Sequence, residues 1–327
     1  MTVPFFSAAM AAWRAAHAVR PDSWRGADPH PSAFKLSIKA LPGARTADTL
    51  GTEREGTGIL IDAGGLILTI GYLILEADSI LAIGGDGSVY PATVAGFDHP
   101  TGFGLVRVGS RLGCAPVELG ESAQLDEYQR VQVATHAAAG GNTYSYVMSR
   151  RRFVGYWEYM IENAIFTAPA RFEHSGAALL DADGRLVGIA SLWVGDALDA
   201  GVAFPGNMFV PIDLLKPLLP DLIAGGRRRG VARPWLGVYT EEVKGHVVIT
   251  RVLPESPAES AGLRAGDVIL GVASQPIGDQ GDFYRKLWAS GEAGSTVALN
   301  VLHKREIRKL TVKSIDRVEW LRPKPAF

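Results

Sequence analysis

The stretch Ser175-Gly176-Ala177-Ala178-Leu179-Leu180-Asp181-Ala182-Asp183-Gly184-Arg185-Leu186-Val187-Gly188-Ile189 reads as a strand, a turn and a second strand, with a serine just ahead of them. Asp181-Ala182-Asp183-Gly184 supplies the residue types that tolerate positive φ between extended runs. Outward from this hairpin the same pattern fills most of residues 33–191. Phe34-Lys35-Leu36-Ser37-Ile38, Gly58-Ile59-Leu60-Ile61-Asp62 and the run 89–95 are further strand candidates. Ala63-Gly64-Gly65 and Gly84-Gly85-Asp86-Gly87 are further turns. Such spacing predicts an all-β barrel or sandwich with little helix. Residues 211–223 then read as the first clear helix, broken or kinked at Pro217 and Pro220. Gly225-Gly226-Arg227-Arg228-Arg229-Gly230 reads as a polar linker whose arginines are solubilising charge. The remainder, to about residue 315, carries strands at 245–252 and 296–303 and an amphipathic helix at 282–289, enough for a separate module.

A chain of 327 residues exceeds one ordinary core and suits two or three domains. With 33 basic against 34 acidic residues, nothing in the charge points to nucleic acid or to an anionic membrane. Cys114 is the only cysteine, so no internal disulfide and no cysteine-based metal site can form. No apolar run reaches the roughly 18–20 residues that span a bilayer, and no transmembrane segment is expected. At the N-terminus, residues 5–13 are apolar and Ala16-His17-Ala18 has the form of a signal-peptidase site. No basic residue precedes that run and Arg14 interrupts it, so a helix with Phe6, Met10 and Trp13 on one stripe is the preferred reading. Neither a His-Glu-x-x-His spacing nor a phosphate-cradling loop occurs, and no metal or cofactor is expected. Arg150-Arg151-Arg152 followed by Phe153, Tyr156, Trp157 and Tyr159 could hold a peptide carboxylate, nucleic acid or a partner subunit. A solvated loop edge with buried aromatics is preferred.

Three stretches, Gly56-Thr57-Gly58-Ile59-Leu60-Ile61-Asp62, Leu66-Ile67-Leu68-Thr69 and the hairpin quoted above, resemble HtrA-type proteases in order and spacing. Gly201-Val202-Ala203-Phe204-Pro205 and then Arg233-Pro234-Trp235-Leu236-Gly237-Val238 look like that family's passage into a PDZ domain. Pro257-Ala258-Glu259-Ser260-Ala261-Gly262-Leu263-Arg264-Ala265-Gly266-Asp267 resembles its Pro-Ala-x-x-Ala-Gly-Leu-x-x-Gly-Asp stretch nearly throughout. The resemblance covers roughly residues 33–318. It implies a mainly β chain: a trypsin-like double six-stranded β-barrel followed by one PDZ domain. The implied organisation is an N-terminal segment at 1–32, the barrels at 33–224, a linker at 225–233, the PDZ domain at 234–318 and a tail at 319–327.

The resemblance also locates a damaged catalytic triad. Where the family has Thr-x-Ala-His, this chain has Thr69-Ile70-Gly71-Tyr72, so Tyr72 stands at the histidine position. The family's Asp-x-x-Thr-Asp stretch reads Asp98-His99-Pro100-Thr101-Gly102, which puts Gly102 at the aspartate position. In the nucleophile region, Glu173-His174-Ser175-Gly176 keeps Ser175 but places Glu173 where an oxyanion-hole glycine is expected. A serine hydroxyl needs an imidazole to take its proton, and the imidazole needs a carboxylate to hold its tautomer. A phenol of ordinary pKa, about 10, is protonated at neutral pH and is no substitute base. His99, His136 and His174 are the available replacements. A glutamate near the oxyanion would oppose its developing charge.

In the PDZ domain, the resemblance makes Trp235, Leu236, Gly237 and Val238 the loop whose N–H groups hold a peptide's terminal carboxylate. Phe283 and Leu287, on the helix that also carries Tyr284 and Trp288, are expected to wall an apolar pocket or to belong to the core. Taken together, the expected function is that of an HtrA-like pseudoprotease, a peptide-binding, chaperone-like or regulatory protein acting through its PDZ domain. The alternative is an active serine endopeptidase using Ser175 with a non-standard base. Expected partners are peptide C-termini or unfolded polypeptide, and an active homologous protease if the role is regulatory. A homotrimer through Phe5, Phe6, Trp13 and Trp24 is implied by the resemblance alone. Family analogy points to the periplasm, and the poor signal peptide leaves the cytoplasm open.

Overall fold

The computed structural model describes residues 30–136 and 142–321. The N-terminal readings, namely the signal-like run, the helix and the aromatics Phe5, Phe6, Trp13 and Trp24, lie outside the described residues. The described chain divides into two compact units. One contains residues 30–42, 47–136, 142–151 and 163–228. The other contains 43–46, 152–162 and 229–321.

The first unit is built on two closed six-stranded barrels, as the expected fold class requires. In the first, β1 (Ala33–Ala40), β2 (Glu53–Leu60), β3 (Leu66–Ile70), β4 (Ala77–Ile83), β5 (Val89–Phe97) and β6 (Phe103–Val108) close in the order β1-β2-β3-β6-β5-β4. In β1, Leu36 and Ile38 lie two residues apart and are both buried, the period of a strand with one face in a core. β3 is apolar apart from Thr69 and buried throughout. The turn between β2 and β3 is closed by Asp62, whose Oδ1 accepts the Leu66 N–H at 2.8 Å.

The second barrel comprises β7 (Arg130–Ala134), β8 (Asn142–Gly155), β9 (Tyr159–Ala168), β10 (Ala178–Leu180), β11 (Leu186–Val194) and β12 (Gly206–Pro211). It closes in the order β10-β11-β12-β9-β8-β7 around Leu125, Val133, Val147, Ile165, Val187 and Phe209. The hairpin around Asp181-Ala182-Asp183-Gly184 is formed by β10 and β11. Its turn is held by Asp181 Oδ1, which accepts the N–H groups of Asp183 and Arg185, each at 2.9 Å. The helix anticipated over 211–223 is two pieces, a 3₁₀ turn at Ile212–Leu214 and an α-helix at Leu219–Gly225. Pro220 stands in the first turn of the latter, where its missing N–H costs nothing. Arg228, read from the sequence as solubilising charge, is instead one half of an ion pair. Its guanidinium grips the buried Asp98 carboxylate at 2.5 and 2.7 Å.

The second unit holds β13 (Val238–Val243), β14 (His246–Val252), β15 (Val268–Val272), β16 (Gln275–Pro276), β17 (Thr296–His303) and β18 (Glu306–Lys313). They form one sheet in the order β13-β14-β15-β17-β18, with β16 on β15, which leaves β13 at an edge. The amphipathic helix runs Gln280–Ala289 and starts earlier than its apolar pattern indicates, because Asp279 caps it by accepting the Asp282 N–H. Phe283, Tyr284 and Leu287 from this helix join Leu236, Val238, Ile249 and Val301 in the unit's core.

A candidate catalytic cleft and a candidate peptide groove

Tyr72 lies in the 3₁₀ turn Gly71–Leu73, directly after β3. That turn is pinned from below by Arg54, whose guanidinium donates to the carbonyls of Gly51 at 3.0 Å, Tyr72 at 3.1 Å and Leu75 at 2.7 Å. The phenol oxygen of Tyr72 is 2.8 Å from Ser175 Oγ and 2.8 Å from the Ser191 carbonyl. One phenolic proton cannot serve both. A carbonyl can only accept, so the phenol donates to Ser191 and receives the hydroxyl proton of Ser175. Ser175 is therefore paired with an oxygen that has no useful basicity. Burial pushes the Tyr72 phenol up to about 12, partly offset by its bond to Ser175. Its phenolate is thus even less available at neutral pH than that of a free tyrosine.

Gly102 occupies the place where the resemblance puts a carboxylate. Its carbonyl accepts the Gly71 N–H at 2.6 Å, beside Tyr72, and its own N–H donates to the Asp98 carbonyl at 2.7 Å. At φ 82° the backbone is left-handed, a conformation that an aspartate adopts at a cost. The neighbouring acid, Asp98, is occupied by Arg228 and by the N–H and hydroxyl of Thr101.

The replacement histidines point elsewhere. His136 Nδ1 is 2.9 Å from Thr57 Oγ1. The His174 Nδ1 lies 3.1 and 3.0 Å from the carbonyls of Arg171 and Phe172, which makes it a donor. His99 packs edge-on against Phe97, with ring centres 4.8 Å apart. Burial lowers the pKa of both His136 and His174. Glu173 is exposed and its charge is felt at both of these imidazoles. The backbone around the serine keeps a tight geometry: Thr57 N–H donates to the Ser175 carbonyl and Gly176 N–H to that of Ala190, at 2.8 and 2.9 Å.

In the second unit, the N–H groups of Leu236, Gly237 and Val238 converge on one point, as the resemblance implies for a carboxylate loop. The group they hold is the side-chain carboxylate of Glu158. Oε1 accepts from Gly237 at 2.7 Å and Val238 at 3.0 Å, and Oε2 from Leu236 at 3.1 Å. Gly237 is required here on two counts. Its φ is 87°, and a Cβ would lie 2.4 Å from Ser256 Cβ. Trp235 is not among the donors; its N–H and carbonyl pair with Ile315, and its ring meets Trp320 at 5.3 Å. Phe283 and Leu287 are both 0% exposed, the core alternative of the sequence reading. The polar groups of the helix that face this region are Gln280 and Tyr284. Sequence reasoning missed Glu158, Gln280 and Arg54, and gave Tyr284 no polar role. No motif marks them; only the tertiary pairing does.

Residues 56–189 match the family model of the trypsin-like peptidase domain, and residues 234–314 that of the PDZ domain. The serine protease HhoA of Synechocystis sp. is 30% identical over 295 residues, covering 80% of this chain and 70% of that protein. A DegP-like periplasmic serine endoprotease of Pseudomonas fluorescens is 30% identical over 280 residues, covering 80% of this chain and 56% of its own length. Among solved structures, the HtrA-type protease AlgW with a decapeptide superposes with a TM-score of 0.54 at 21% identity. That match covers 91% of this chain and 98% of the other and bears on the fold alone.

Proposed function

The chain belongs to the HtrA-type family of trypsin-like serine proteases with a PDZ domain, and we propose that it is a member without proteolytic activity whose working site is the PDZ groove. The observation that carries this reading is the partner of Ser175, a phenol in place of an imidazole. With no base to take its proton and no carboxylate at Gly102 to orient one, the hydroxyl stays a poor nucleophile. In related chemistry, loss of a triad member costs on the order of 10⁴–10⁶ in turnover. The groove needs no such group, because an extended peptide is held by main-chain N–H groups and by an edge strand. A chaperone-like or regulatory role toward peptide C-termini or unfolded chains follows from that division. The decapeptide in the AlgW structure's description supports peptide as the ligand class. The periplasmic name of the Pseudomonas relative supports the same compartment. Assembly as a homotrimer, or with an active homologue, rests on the family resemblance.

A second reading, residual serine endopeptidase activity, is favoured by the retained Ser175 and by the names of the relatives. It requires Tyr72 to withdraw and His99, His136 or His174 to take its place. A fluorophosphonate probe separates the two, since it phosphonylates only an activated serine, the Oγ displacing fluoride from phosphorus. The expected result is no adduct on Ser175 under conditions that label an active trypsin-fold protease to completion. A Ser175 adduct would establish the second reading.

A further inference from the structure

The carboxylate loop does not hold its Glu158 in isolation. The turn that carries it, 155–158, lies between β13 and the helix Gln280–Ala289, along the open edge of the sheet. Thr240 N–H, on β13, donates to the Tyr156 carbonyl at 2.8 Å, the bond an added strand makes to a sheet edge. From the helix, Tyr284 donates its hydroxyl to the Gly155 carbonyl at 2.8 Å and accepts the Glu158 N–H at 3.1 Å. Gln280 Nε2 donates to the Thr240 carbonyl at 2.7 Å. The Tyr156 ring packs on Tyr239 of β13, with centres 5.1 Å apart. Main-chain pairing to an edge strand, an anion on three converging N–H groups and contacts to the helix together make up what a bound peptide terminus would present. This chain presents them itself, with a glutamate side chain in place of a terminal carboxylate.

We infer that Tyr156-Trp157-Glu158 is an internal ligand of the PDZ groove, one that keeps the groove closed until a polypeptide with a free C-terminus displaces it. This inference rests on the reading of the groove as a peptide site. The physical reason for such an occupant is plain: three N–H groups left buried without a partner would each pay an uncompensated desolvation cost. Glu158, 8% exposed, satisfies them. Its backbone stands at φ 55°, an uncommon conformation for glutamate that the surrounding bonds impose. The occupant is also replaceable. Tyr156 is 50% exposed, and the segment uses a single ladder bond to β13. An extended peptide can continue along the strand to Val243 and so exceed it in hydrogen bonds. Being tethered, the internal segment competes at an effective concentration on the order of millimolar, which sets a threshold that weak ligands fail to cross.

The charge balance adds a pH dependence. The titratable groups facing Glu158 are Tyr284 on the helix and Arg317 on the C-terminal turn. Burial pushes the Glu158 carboxyl up to about 7, against the opposing pull of the three N–H bonds and Arg317. A docked carboxyl that holds its proton more tightly than a free one takes up a proton on docking. Closure therefore strengthens as pH falls from about 7 toward 4.5, the value for a free glutamate, and is weakest above 7.

The test uses the full chain and a pool of fluorescent decapeptides randomised at their last three positions, with free or amidated C-termini. Glu158→Ala is expected to bind the free-carboxylate pool at least tenfold more tightly than the parent protein, with the amidated pool unbound by both. Glu158→Gln, which keeps the size but offers one carbonyl oxygen, should fall between them, and its affinity should not vary between pH 5 and 8. Equal affinity of parent and Glu158→Ala would overturn the internal ligand and leave peptide binding standing. If neither protein binds the pool, the peptide-site reading fails, and the internal contact is then judged by amide exchange. Protection of Leu236, Gly237 and Val238 that is lost in Glu158→Ala upholds it as a contact. Equal exchange in the two proteins overturns it as well.

Discussion

Gly176→Ala is expected to destabilise the barrel unit by about 3–5 kcal/mol, the sum of left-handed strain and a steric clash. Gly176 has φ 76°, and a Cβ built there meets the Thr57 carbonyl oxygen at 2.1 Å and Thr69 Oγ1 at 2.5 Å. The nearer contact is backbone, so relief requires β2 to move away from the serine loop. The same movement would break the bond from Thr57 N–H to the Ser175 carbonyl. A built-in control exists. Gly184 has φ 78° but nothing within 4 Å of an added Cβ, so Gly184→Ala reports the conformational cost alone, about 1–2 kcal/mol. At roughly 2–4 °C per kcal/mol for a unit of this size, the melting temperature of the barrel transition should fall about 10 °C for the first variant and about 4 °C for the second. Equal shifts would mean that the serine loop is not clamped against β2. The expected difference explains how glycine at this position is maintained by packing, independently of any catalysis by its neighbour.

Much of the fold is legible in sequence because it depends on local patterns. Alternating runs with explicit turns mark strands such as Val89–Phe97 and Leu186–Val194, and Pro217 falls in the gap between the 3₁₀ turn and the helix, while Pro220 starts the helix rather than breaking it. The resemblance assigns triad positions to Tyr72, Gly102 and Ser175, and the structure brings the first and last of these to 2.8 Å of each other. What stays hidden is what two distant segments decide jointly. Arg228 looks like linker charge until Asp98 is placed against it. The aromatic turn at 156–158 looks like a loop edge until the N–H groups of Leu236, Gly237 and Val238 are placed around Glu158. Each of these pairings joins residues more than seventy positions apart, and Arg228 and Glu158 carry no local signature of the partner they meet.

Arg228→Ala should cost the barrel unit about 2–3 kcal/mol, less than the full value for breaking a buried ion pair because part of the guanidinium is solvated. The Asp98 side chain is 1% exposed and that of Arg228 is 32% exposed. After the substitution the carboxylate keeps only the N–H and hydroxyl of Thr101, bonds that cannot offset the lost charge of the arginine. The double variant Arg228→Ala/Asp98→Asn removes the stranded charge and should recover at least half of the loss, which a double-mutant cycle measures. A cost below about 0.5 kcal/mol for Arg228→Ala would return this arginine to the solubilising role assigned by sequence.

The measurement that bears most directly on the proposed absence of proteolysis is the cleavage of an unfolded protein, casein, by the purified chain and by Ser175→Ala at equal concentration over a long incubation. With Ser175 donating to the Tyr72 phenol and glycine at position 102, the two proteins should give the same trace of cleavage, at the level of the buffer control. Cleavage by the parent chain that disappears in Ser175→Ala would contradict the account and show that a base reaches this serine after all.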